Sequence, residues 1–403
     1  MRARDRKNHG QTLARTAVHG TTRVGAALQA HTEPPAGAAE AFAEAPLPAE
    51  PADPAERAVL SLCPPPLDEP ELVRPLDDQW CQWIVDSTLQ RMPHATILAR
   101  LKAEGIDPAH ASGFMSGLPH NPMFRAAEKM RDRYERFGRV MQNVHSLQET
   151  APHYGHVEKR SRLSRDEFIE RYVRGCRPVV ITDMARDWPA MSRWSFAEFK
   201  RRFGSMTVEV QAGREKDDNF EVNKLQHKRT TNFAAFLDRV VTSGPNNDEY
   251  LTANNELLRR PEFQGLLSEV GPLPDYCDQA ALTRCASLWV GPAGTKTPLH
   301  HDTLMLLHTQ VVGRKRWRFV APSSAPKLYN DFDVYSPVNF ENLDLARFPE
   351  AANVKVLEVV VEPGETVFLP LAWWHQVTSL DKCISLSFTN IDVPNRFDFG
   401  NGH

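Results

Sequence analysis

No stretch of this 403-residue chain is apolar for long enough to cross a bilayer as a helix. The basic N-terminus runs into Gly, Thr and His instead of an apolar core, so it does not read as a secretory signal. Cysteine is sparse: Cys63, Cys81, Cys176, Cys277, Cys285 and Cys383 include no C-x-x-C pair. That spacing argues against a zinc ribbon, and that density against a disulfide scaffold. A soluble protein of a reducing cytoplasm is expected. Charge of either sign is not in excess: the formal net charge is -3 and the basic runs are short and separated. Bulk electrostatics therefore gives no reason to expect a nucleic-acid or membrane partner. Large apolar residues are scarce before about Pro66, where Ala, Pro, Glu and Thr dominate. Residues 1–70 accordingly read as a disordered arm that cannot offset its own ordering entropy.

Periodicity begins near Leu76. Trp80, Trp83, Ile84 and Leu89, then Ile97, Leu98 and Leu101, recur at threes and fours, with Gly105 as a stop. Asp107-Pro108 is an N-cap followed by proline at the first helical position, and a further helix is expected from Pro122 to about Leu147. Residues 71–150 thus read as a small helical segment. A longer domain, 155–400, starts with SRDEFIERYV, where Ser164 and Glu167 have capping-box spacing. RPVVITDM and TVEVQ read as strands, TTNFAAFLDRVV as a helix and EYLTANN as a strand. From about Ala286 nearly every segment reads as strand: SLWVGP, TPLHHDTLMLLHTQVV, KRWRFVAP, VKVLEVVVEP, ETVFLP and CISLSFTNI. The fold class expected is mainly β, a double-stranded β-helix of the jelly-roll or cupin type with helices on its N-terminal side.

The chemistry concentrates between Thr297 and Pro322. His300 and Asp302 are two residues apart, which on a strand sets an imidazole and a carboxylate on one face. A third ligand is offered by His375 in LPLAWWH, after the turn EPGE and the run TVFLP. Two His and one carboxylate on one side of a metal leave the opposite positions open, as in non-haem Fe(II) oxygenases. His301, between the two, is expected on the other face. In KRWRF, Lys315 shares a face with Trp317 and Phe319, and a lysine on an aromatic inward face needs an anionic partner. Of Trp373 and Trp374, one is expected in the barrel and one at its mouth. The acidic, aromatic loop LYNDFDVYSPVNFENLDLARFPE is a candidate lid.

The ordered series RPVVITDMARDWPA, TPLHHD…QVVGRKRWRF, PGETVFLPLAWWHQV and SLSFTN resembles the JmjC-type, cupin-like hydroxylases, over roughly Leu163 to Ile391. Its text is nearest the branch that includes the asparaginyl hydroxylases. The resemblance implies Fe(II) held by His300, Asp302 and His375, and 2-oxoglutarate as cosubstrate with O2. It implies that Lys315 grips the distal carboxylate of 2-oxoglutarate, helped by Thr297 and Tyr250. In the last strand it points to Thr389, with Asn390 as the alternative register. The family often carries Asn four positions after the Asp, where this chain has Leu306; His308 or Thr309 is the substitute available. The sequence ends at His403 without the C-terminal helices through which asparaginyl hydroxylases dimerise, which leaves oligomeric state open. The reaction implied is hydroxylation of a C–H bond, on a protein or peptide side chain before a small molecule. The alternative is a cupin that binds a metal or ligand without oxidising anything, as a binding or scaffold protein.

Overall fold

The structure is a computed structural model and describes residues 74–151, 154–330 and 333–395. The arm expected over residues 1–70 lies outside them. Asp77 caps helix α1 (Asp78–Leu89) by accepting the Trp80 N–H at 2.9 Å. Helices α2 (His94–Ala103) and α3 (Pro108–Gly117) follow, the latter capped by Asp107. Trp80, Trp83, Ile84, Ile97, Leu101 and Met115 close a small core around them. A long helix, α4 (Pro122–Glu149), comes next. The chain divides into two compact units between Glu128 and Lys129, inside α4, so the helical segment expected as 71–150 does not form one body.

The second unit is built on strands. Val179–Ile181 (β2) takes the short Glu158–Arg160 strand (β1) beside it in parallel. Ser164 accepts the Glu167 N–H at 3.2 Å, but the Glu167 carboxylate turns to Arg160 and Arg171. The expected reciprocal capping box is therefore half made, and a π-helix over Phe168–Arg174 continues the turn. Thr207–Gln211 (β3) and Lys228–Asn232 (β4) form a separate two-stranded sheet next to helices α5 (Phe196–Phe203) and α6 (Phe233–Thr242). The segment EYLTANN is no strand of its own: Tyr250 and Leu251 make single bridges to Gln211 and Val290.

The remaining strands are β5 (Ala286–Gly291), β6 (Lys296–His301), β7 (Leu306–Val312), β8 (Lys315–Val320), β9 (Leu357–Val361), β10 (Thr366–Leu369), β11 (Trp374–Ser379) and β12 (Cys383–Phe388). They assemble into a six-stranded sheet ordered β1-β2-β10-β7-β12-β5 and a four-stranded sheet ordered β6-β11-β8-β9. The run TPLHHDTLMLLHTQVV, read as one strand, is two. The chain leaves β6 at Asp302 and re-enters as β7 in the other sheet. Such a crossing at a corner is what lets one hydrophobic run line both walls of a double-stranded β-helix. Gly313 (φ 74°) makes the return into β8, where a Cβ would lie 2.3 Å from the Lys382 carbonyl. Along β8 the alternation is clean: Lys315, Trp317 and Phe319 are buried, while Arg316 and Arg318 reach outward to Glu358 and Glu341.

Between β8 and β9 the chain makes a long excursion, residues 321–356. It is not a bare loop. Leu328, Val338 and Phe348 pack on Leu299, Val320 and Trp374 as a separate apolar cluster. Asn339 and Phe340 bond the Gln376 amide, and the Glu341 carboxylate accepts from Thr378.

Candidate metal centre

Strand β11 lies between β6 and β8, pairing His375 with His300 on one side and with Phe319 on the other. Directly opposed residues of antiparallel strands share a face, so both imidazoles point into the space between the sheets. Their rings are 4.1 Å apart. Asp302, just past the end of β6, brings Oδ1 to 3.8 Å from His300 Nε2 and Oδ2 to 3.9 Å from His375 Nε2. One donor atom from each of the three lies within 4.8 Å of the others, the one such cluster among the described residues.

Backbone carbonyls set the tautomers. His300 Nδ1 donates to Pro298 O at 2.9 Å, and His375 Nδ1 donates to Trp373 O at 3.2 Å. Each ring therefore keeps its proton on Nδ1 and turns the Nε2 lone pair toward Asp302. Burial, and then the charge of His300, holds the His375 imidazole well below its usual pKa, so it is a neutral ligand. Burial likewise raises the Asp302 carboxyl, an effect His300 opposes. A carboxylate beside two imidazole Nε2 atoms is a donor set that a divalent transition metal satisfies, and it suits Fe(II). His301 packs its ring edge on Trp374 at 4.7 Å, on the opposite face. Both tryptophans of the WWH triplet are buried: Trp373 lies in the barrel core and Trp374 under the 321–356 excursion, not at a mouth.

The inner face of β11 continues from His375 to Val377 and Ser379, and the opposing residues of β8 are Phe319, Trp317 and Lys315. Lys315 is 1% exposed. Its Nζ donates to Tyr250 Oη at 3.0 Å and to His308 Nε2 at 3.4 Å, and it lies 5.6 Å from the ring centres of both Tyr250 and Trp289. No carboxylate among the described residues lies within ion-pair distance of it. A buried ammonium among two aromatic rings, a phenol and an imidazole is a socket for an anion. Its Cα is four residues along the ladder from His375, about 13 Å at strand rise, which leaves room for a short dicarboxylate between Nζ and the metal donors.

Thr297 reaches the same face by an irregularity. Three positions before His300, regular alternation would turn it away. A register shift pairs Thr297 with Val377 while His300 pairs with His375, so a bulge restores it to the inner side. Of the two substitutes for the missing asparagine at Leu306, His308 is in the socket, whereas Thr309 bonds Thr366 on the other face of β7. Thr389 is not brought to the group. Strand β12 ends at Phe388, and Thr389 lies beyond it, its carbonyl bonded by Asn395. Asn390 bonds the Asp278 carbonyl instead. The β12 residue facing the socket is Ser387, opposite His308, and its Oγ accepts from Trp289 Nε1 at 2.8 Å.

Two contributors escaped the sequence. Tyr335, from the excursion, bridges to His300 and stacks on its ring at 5.8 Å. Arg214 is fully buried between the Phe220 and Tyr250 rings, 4.3 and 5.2 Å from their centres. Its Nη2 bonds Glu221 and the Lys296 carbonyl, which ties the Tyr250 side of the socket to the strand carrying His300.

A family model described as the cupin-like domain matches residues 164–389, more than half of the chain. The chain belongs to the cupin-like domain family. Within this family's wider relatives it is 34% identical over 242 residues to Lysine-specific demethylase JMJ30 of Arabidopsis thaliana, covering 58% of this chain and 54% of that one. It is 31% identical over 233 residues to Lysine-specific demethylase 8 of Xenopus tropicalis, covering 56% and 50%. Over 103 residues it is 40% identical to HSPB1-associated protein 1 of Bos taurus, covering 24% and 21%. The chain spans about half the length of the first two relatives. The matched region holds every residue of the metal cluster and of the lysine socket.

Proposed function

We propose that this cupin-like protein is an Fe(II)- and 2-oxoglutarate-dependent oxygenase that hydroxylates a C–H bond of a protein or peptide side chain. The observation that carries the reading is the combination of a His-Asp-His donor cluster with a buried, carboxylate-free Lys315 farther along the same inner face. A metal-binding scaffold has no use for a desolvated cation at that distance from the metal donors. His300 and His375 would hold Fe(II) through Nε2, and Asp302 through its carboxylate. Iron bound there supplies the reduction of O2 that, coupled to decarboxylation of 2-oxoglutarate to succinate, places one oxygen atom on the substrate carbon.

The chain's own residues do the rest. Lys315 and Tyr250 orient the distal carboxylate of the cosubstrate, with Thr297 on the same inner face. Trp289 and Trp317 wall the space and keep water from it. Tyr335 and its segment lie over His300, which supports the excursion as the rim that faces a substrate. A protein side chain as substrate is supported by the relatives whose names make them lysine-specific demethylases. The cysteines among the described residues are all free thiols, which supports a reducing, cytoplasmic setting.

The test is anaerobic titration of the purified protein with Fe(II) and then 2-oxoglutarate, followed by succinate measurement on admitting O2. A visible charge-transfer band and succinate formation are expected. Iron binding without the band would overturn the oxygenase reading in favour of a non-oxidative cupin.

A further inference from the structure

Helix α4 carries two faces that could bury, and the second unit uses one. From Lys129 onward that unit holds the helix through Gly138, where a Cβ would sit 2.9 Å from Pro326 Cγ. One helical turn and more along, the buried His145 ring bonds Ser323 Oγ at 2.7 Å and Tyr154 Oη at 3.0 Å. Helix docking is thereby accounted for. Yet a different face exposes a run of large apolar residues, with Arg133 among them: Met130 60%, Tyr134 54%, Phe137 59%, Val140 58% and Val144 42%. Single exposed apolar residues are ordinary, but five on one face of four turns form a patch that marks an interface.

The spacing identifies the occupant. About Phe137, the exposed positions fall at three and seven residues to either side: 134 and 140, 130 and 144. Spacings of three and four keep them on one face. A pattern that is the same read from either end is self-complementary when a second copy lies antiparallel on it. Phe137 then meets Phe137, Tyr134 meets Val140, and Met130 meets Val144, each contact occurring twice, as an isologous two-fold interface requires. Nothing in an arbitrary partner would call for that symmetry. With Leu147, which is 73% exposed at the rim, these side chains present on the order of 700 Å² per copy, so a pair would bury about 1,400 Å² and reach the range of stable interfaces.

We propose that the protein is a homodimer whose two-fold axis passes beside Phe137 of α4, the two helices packing antiparallel. The dimer requires neither iron nor cosubstrate, so it stands or falls apart from the oxygenase reading. The test uses the full chain. Sedimentation should give a dimer for the wild type and a monomer for Phe137→Glu, whose circular dichroism stays that of the folded chain and whose melting temperature, unlike the wild type's, does not rise with protein concentration. Under mild oxidation Phe137→Cys should form a disulfide-linked dimer, because the axis brings the two copies of position 137 together. Leu147→Cys should not, since an antiparallel pair separates its two copies by about 30 Å along the axis. A monomeric wild type, a Phe137→Glu variant that remains dimeric, or equal cross-linking at positions 137 and 147 would overturn the proposal.

Discussion

Lys315 and Tyr250, 65 residues apart in the chain, meet in the interior with the ammonium donating to the phenol oxygen at 3.0 Å. An ammonium is a donor only, so Tyr250 must accept, and its own O–H is left to point elsewhere. His308 Nε2 accepts from the same ammonium, which puts that ring's proton on Nδ1. The socket is thus made of groups whose remaining hydrogens all donate, as a carboxylate ligand requires.

Replacing Lys315 by Met should affect binding and stability in opposite directions. The cosubstrate loses its charged partner, so affinity should fall about a hundredfold, on the order of 3 kcal/mol. The apo protein loses a buried cation that has no carboxylate to offset its desolvation, so its melting temperature should hold or rise. The two are read from the charge-transfer titration and from calorimetry.

Tyr250→Phe removes a single neutral partner and should weaken the cosubstrate about tenfold, on the order of 1 kcal/mol. Gly291→Ala should act through the same ring, because a Cβ there would lie 2.6 Å from Tyr250 Cδ2. Iron stoichiometry should be normal in both. Loss of iron from Gly291→Ala would mean that the damage spreads beyond the socket.

Asp302→Ala or His375→Ala should abolish tight iron binding, measured as metal content after reconstitution, while the apo chain still folds. Asp302→Ala removes a carboxylate whose charged form burial disfavours and should leave the apo melting temperature unchanged, whereas His375→Ala leaves a cavity in place of a buried neutral ring and should lower it.

His145 gives the pH prediction. Burial lowers its pKa beneath the usual 6.5; Glu149 works against this, and Lys327 and Lys355 reinforce it. A lowered folded value means the unfolded chain takes up the proton first. Its contribution is therefore complete above about pH 6.5 and is lost as pH falls through that value toward the folded one. Between about pH 8 and about pH 5 the wild type should lose more melting temperature than His145→Gln. Parallel curves would show that His145 is not the titrating group.

Much of this site was legible because it is local. His300 and Asp302 are two apart, and His375 follows a turn signal and an apolar run that read as β10. The inward parity of Lys315 came from alternation with Trp317 and Phe319. What failed to show depends on registers and corners. The bulge that returns Thr297 to the inner face exists only in the pairing of β6 with β11. Thr389 was assigned by counting along a strand that ends one residue earlier, so Ser387 holds the place instead. Arg214 sits in GREKDD, a run that resembles a solvated turn, and only its neighbours Phe220 and Tyr250 reveal it as interior.

Strand β11 shows His375 on one side and Gln376 and Thr378 on the other, where they clip down Asn339, Phe340 and Glu341. The excursion that these contacts hold has its own small core and returns to β9 without interrupting the pairing of β8 with β9. It can be rewritten in length and sequence while the ladder beneath it stays closed. Because Tyr335 of that excursion also lies on His300, exchanging residues 321–356 would keep the β8–β9 ladder but would replace the cover of the metal cluster with it.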